Sequence, residues 1–133
     1  MPDVHATGGC LCGGVRYEIN VPLTPVCVCH CRQCRQTSGY QLGFSNCMEE
    51  DMSFVKQGTL QWYASSEKGR RGFCNNCGST LFWRSVDGGE MDIAAGSLDE
   101  PTGLKTEEHI FTEFKGDYYE IDDGMPQHLR GRR

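Results

Sequence analysis

The nine cysteines, at positions 10, 12, 27, 29, 31, 34, 47, 74 and 77, restrict this chain more than any other feature. They form Cys10-x-Cys12, Cys27-x-Cys29-x-Cys31-x-x-Cys34, a lone Cys47 and Cys74-x-x-Cys77. Residues Met1 to Gly9 contain no basic segment followed by an apolar stretch, so no secretory leader is expected. No apolar run approaches the roughly 20 residues that span a bilayer. The expected setting is the cytoplasm, where thiols stay reduced, so the cysteines need an explanation other than disulfides.

Metal chelation supplies one. Zinc prefers four tetrahedral ligands, and two thiolates separated by one or two residues on a turn can reach the same ion without strain. Cys74-Asn75-Asn76-Cys77-Gly78 is a favourable arm because the glycine lets backbone N–H groups turn toward the sulfurs and offset their charge. Cys10-Leu11-Cys12-Gly13-Gly14 repeats the device at tighter spacing. The two arms make a natural closed four-thiolate site, and a closed site is structural: its binding energy becomes folding energy. The rival reading of Cys74-x-x-Cys77 is a redox dithiol, which favours a helix start, whereas its flanks here are strand-like.

The central group places four cysteines within eight residues. Cys29, Cys31 and Cys34 can set three sulfurs around one ion and leave a fourth position exchangeable, as catalytic zinc requires. Two alternatives stay open at this stage. Cys27 could close the site, since Cys27, Cys29 and Cys31 share a strand face at period two, or His30 could be the fourth ligand. Cys47 reads as a small buried hydrophobe.

The rest of the chain is rich in turns. Its 17 glycines argue against long helices, and the apolar pattern predicts a mainly β, single-domain protein of small antiparallel sheets. Strands are expected at Val15 to Ile19, Tyr40 to Ser45, Ser53 to Val55, Leu60 to Ala64, Thr80 to Arg84, Met91 to Ala95, His109 to Phe114 and Tyr118 to Ile121. One short helix is expected at Arg32 to Ser38, stopped by Gly39. The net charge of −5 opposes nucleic-acid binding. Arg130, Arg132 and Arg133 read as a solvated, frayed tail.

Five segments in order carry a resemblance that covers residues 8 to 122. They are Gly9 to Glu18, Cys29-His30-Cys31-Arg32-Gln33-Cys34-Arg35 with Ser38-Gly39, Gly72 to Ser79, Ala95-Gly96-Ser97-Leu98-Asp99, and His109-Ile110-Phe111. Together they resemble the glutathione-dependent formaldehyde-activating enzyme and centromere protein V family. The resemblance implies a β-tent fold with two zinc ions, Cys10, Cys12, Cys74 and Cys77 holding the structural one and Cys29, Cys31 and Cys34 the active-site one. Leu11 stands where the family often has histidine, and Asp117-Tyr118 where many members carry tryptophan.

The expected activity is a carbon–sulfur lyase type in which a thiol such as glutathione joins formaldehyde or another small aldehyde. Arg32, Arg35, Lys68, Arg70 and Arg71 are the basic residues near cysteine motifs that could meet an anionic thiol. Ser38 and Gly39 are further candidate contacts. The alternative is a zinc-stabilised module that binds a protein partner and has no catalysis. Neither reading calls for nucleic acid or membrane, and neither fixes an oligomeric state.

Overall fold

The computed structural model describes residues 3–131. Ten strands and one α-helix form two sheets. Strands β1 (Ala6–Gly9), β2 (Arg16–Ile19) and β5 (Met52–Lys56) make a three-stranded antiparallel sheet in the order β1-β2-β5. The seven-stranded sheet contains β3 (Val26–Cys29), β4 (Leu42–Met48), β6 (Leu60–Ala64), β7 (Gly69–Cys74), β8 (Thr80–Ser85), β9 (Glu90–Ala94) and β10 (Thr106–Ile110). Its order is β10-β3-β4-β9-β8-β7-β6, antiparallel throughout except for the parallel pair β10 and β3.

Both sheets feed one core. Val15, just before β2, and Tyr17 and Ile19 of the smaller sheet meet Leu81, Phe82 and Ile93 from the larger, all of them fully buried. Phe82 is the hub: its ring lies 5.4 Å from Tyr17 and 5.7 Å from Phe54, both edge-on, and 6.0 Å from Trp62 in a stack. Gly72 opposes Phe82 across β7 and β8, where a Cβ would come within 3.0 Å of both Phe82 and Trp62. Glycine there makes room for the rings.

The single helix α1 (Arg32–Ser38) begins beside Cys31 and stops at Gly39, whose φ of 91° is the left-handed conformation that glycine tolerates. Three expectations need correction. Strand β10 ends at Ile110, because Phe111 takes a left-handed backbone (φ 55°) and a 3-10 turn follows at Thr112–Phe114. Tyr118 to Ile121 is irregular chain, not a strand. Its backbone bends around Lys115, whose ammonium donates to the carbonyls of Gly116 and Tyr119. The tail is docked as far as Arg130: the N–H groups of His109, Phe111, Thr112 and Glu113 donate to the carbonyls of Pro126, Arg130, His128 and Leu129. Arg132 and Arg133 lie outside the described residues.

Candidate metal centres

The four cysteines of the first group lie on two facing knuckles. After β1, the Cys10 carbonyl accepts from the Gly13 N–H and the Val15 N–H points at the Cys10 sulfur at 3.2 Å. After β7, the Cys74 carbonyl accepts from the Gly78 N–H, and the N–H groups of Asn76 and Cys77 both point at the Cys74 sulfur at 3.4 Å. Gly13 and Gly78, with φ of 79° and 80°, close these turns.

All four sulfurs lie within 4.8 Å of one another, with Cys10 to Cys12 at 3.7 Å and Cys12 to Cys74 at 3.6 Å. A tetrahedral ion with metal–sulfur bonds of about 2.3 Å needs sulfurs about 3.8 Å apart. Disulfides need about 2.0 Å, and none of the nine cysteines is in a disulfide. The surroundings favour thiolate on one knuckle: Ser79, through its hydroxyl and backbone, lowers the Cys77 thiol to about 5, and Thr59 lowers Cys74. Burial pushes Cys10 up. The group joins the edge of the small sheet to the β7–β8 turn of the large one.

The second group is built by the end of β3 and the start of α1. Cys29 is the last residue of β3, Cys31 is the N-cap of α1 and accepts from the Cys34 N–H, and Cys34 lies in the first turn. Their sulfurs also lie within 4.8 Å of one another, and among the described residues no fourth His, Cys, Asp or Glu joins them. Contacts from Cys29 and Cys34 hold the Cys31 thiol far below its ordinary range, with help from the Cys34 N–H and Arg71. Cys29 is pushed up by Cys31 and Cys34 and by burial. Leu42, Phe44, Ala94, Ile110 and Phe111 form apolar walls on this group.

A family model described as glutathione-dependent formaldehyde-activating enzyme matches residues 5–114. The chain belongs to this family. It is 30% identical over 88 residues, 66% of its length, to an uncharacterized lyase of Schizosaccharomyces pombe. The chain spans 62% of the length of that relative. A Rhodobacter sphaeroides protein of known crystal structure shares the fold, with a TM-score of 0.62 at 17% identity, covering 91% of this chain and 98% of that one.

With the family established, the remaining candidate residues separate clearly. Arg71 of β7 reaches the second group: its Nη2 lies 3.6 Å from the Cys34 sulfur and 3.3 Å from Gln33 Oε1. It is only 7% exposed, and its Nη1 is buried with no hydrogen-bond partner. Arg32 is exposed, and Lys68 and Arg70 make other contacts: Lys68 pairs with Asp87, and Arg70 donates to backbone carbonyls of its own turn. Ser38 and Gly39 sit at the far end of α1, about 10 Å along the helix from Cys31. There the Ser38 hydroxyl accepts from the Tyr40 N–H and Gly39 terminates the helix.

Cys27 is buried on β3 but its sulfur stands apart from the converging three. Cys47 is buried in the main core, as a small hydrophobe would be, and burial raises its thiol to about 11. His30 turns away from the sulfurs. Its Nδ1 lies 2.6 Å from the Tyr119 hydroxyl and its Nε2 2.8 Å from His109 Nδ1, while His109 Nε2 lies 2.7 Å from Asp123. This four-residue chain was not legible as a unit, because its hydrogen-bonded pairs are 14 to 89 residues apart in sequence.

Among the described residues no helix is long and apolar enough to cross a membrane.

Proposed function

We propose that this single-domain family member joins a small thiol of the glutathione class to formaldehyde or another small aldehyde at a zinc centre held by Cys29, Cys31 and Cys34. A second zinc on Cys10, Cys12, Cys74 and Cys77 holds the fold. The observation that carries the reading is the contrast between the two sulfur groups. One offers four thiols; the other offers three, with apolar walls and a buried cation alongside.

The reaction balances without an oxidant or reductant. The thiol sulfur bonds to the carbonyl carbon, the carbonyl π bond opens, and the oxygen takes the proton that the thiol gives up, so the product is an S-hydroxyalkyl thiol. The reverse direction is carbon–sulfur lysis. Bound zinc supplies Lewis acidity, either to the thiol or to the carbonyl oxygen.

The chain's own groups prepare that position. Leu42, Phe44, Ile110 and Phe111 exclude water from one side and so strengthen electrostatic interactions within it. The Arg71 guanidinium, within reach of Cys34, offsets the negative charge of three thiolates. A reducing cytoplasm keeps those thiols available.

The test is the exchange rate between glutathione with formaldehyde and their adduct, measured by exchange NMR. Wild-type protein accelerates the exchange. Arg71→Gln, which leaves a shorter, polar side chain and removes the charge, reduces the acceleration about 10- to 100-fold, the value of a charge-assisted hydrogen bond of ~1.5–3 kcal/mol. Wild-type exchange at the uncatalysed rate would favour the binding module instead.

A further inference from the structure

His30 is the residue between two ligand candidates, and alternation along an extended chain sends its ring away from them. There the ring is 0% exposed and both of its nitrogens are engaged. The chain that holds it runs from Tyr119 through His30 and His109 to Asp123, whose side chain is 42% exposed. The family match ends at residue 114, so both termini of the chain lie beyond it.

The carboxylate fixes the direction of the outermost bond. An ionised carboxylate only accepts, so His109 Nε2 carries the hydrogen that Asp123 receives. Both rings are buried, and each is engaged at both of its nitrogens. His109 Nδ1 then lies 2.8 Å from His30 Nε2, and His30 Nδ1 lies 2.6 Å from the Tyr119 hydroxyl. Each partner holds the ring of the next, from Asp123 at the surface inward to His30.

We propose that Tyr119, His109 and Asp123 are positioning residues for the three-cysteine centre, acting through His30. With its ring held at both nitrogens and its own N–H donating to the Ile110 carbonyl at 3.1 Å, residue 30 has little freedom. The Cys29-x-Cys31 arm is thereby held ready for an ion before one arrives, and the ordering cost is met by folding and not by metal binding. The inference rests on the reading that Cys29, Cys31 and Cys34 bind a metal.

Cobalt(II) titration of the full chain, with the four-cysteine site already filled by zinc, reads the second site through its thiolate-to-cobalt absorption. Tyr119→Phe deletes one hydroxyl and should lower second-site affinity about 10- to 100-fold, as loss of an orienting partner does at other metal sites. Zinc affinity at the four-cysteine site should stay unchanged. Asp123→Ala, at the surface where folding is little affected, should shift the second site in the same direction by less.

Unchanged second-site affinity in Tyr119→Phe, or equal loss at both sites, overturns the proposal. If wild-type protein takes up no second metal at all, the reading of the three-cysteine centre fails, and that result is distinct from a variant that matches a wild type with two filled sites.

Discussion

Cys74→Ser should leave the chain largely unfolded, with far-ultraviolet circular dichroism showing loss of β structure and metal analysis showing loss of the tightly held ion. Cys74 is fully buried, its sulfur receives two backbone N–H groups, and it sits where β7 turns toward β8. A structural zinc contributes ~10–16 kcal/mol of apparent binding energy. A whole domain of ordinary stability has only ~5–15 kcal/mol, so even partial loss of the site removes most of what is available. The same result is expected when a strong chelator is added to wild-type protein. A Cys74→Ser protein that unfolds cooperatively at the wild-type midpoint would contradict this assignment.

The second large effect is the opposite in kind. Cys31→Ser should keep the fold, reduce bound metal from two ions to one, and bring thiol–aldehyde exchange to the uncatalysed rate. Cys31 is the N-cap of α1, and its side chain accepts the Cys34 N–H. Serine is among the best N-cap residues, so the helix retains its start while the thiolate disappears. Metal analysis, a thermal unfolding curve and exchange NMR check the three parts of the expectation. If Cys31→Ser instead unfolds the chain as Cys74→Ser does, the second centre is structural and the binding-module reading gains.

The two sulfur groups were the most legible part of the sequence because the closeness of neighbouring cysteines is a local property. Two sulfurs one or two residues apart must share a neighbourhood, and glycines 13 and 78 sit at the left-handed positions the turns require. Partner choice between arms was legible for the same reason: two similar glycine-closed arms fit one closed site.

Strands were less so. β6 matched the expected bounds, and β2, β4, β5, β8 and β9 matched to within a few residues, because they carry the apolar alternation. β1 (Ala6–Gly9) and β7 (Gly69–Cys74) were hidden by glycine and arginine, which by themselves signal turns; here glycine clears space for Phe82 and Trp62, and Arg71 is drawn inward to Cys34. β3 was masked by its cysteines, which read as ligands before they read as strand.

Long-range polar contacts were the least legible. Arg71 stood as one of five equivalent basic residues until the fold brought it to the second group and left it without an acidic partner among the described residues. Nothing in the local pattern of Tyr118 to Ile121 announces that Tyr119 turns inward to His30, 89 residues earlier. The docked tail likewise depends on the edge of β10, which only the assembled sheet defines.

The most direct test of two unlike centres is zinc content together with zinc-edge X-ray absorption, recorded with and without glutathione. The account predicts two zinc ions per chain: one with four sulfur ligands that ignores the thiol, and one with three protein sulfurs whose remaining coordination changes when glutathione is added. Two ions, each with four cysteine sulfurs and neither responding to the thiol, would contradict it.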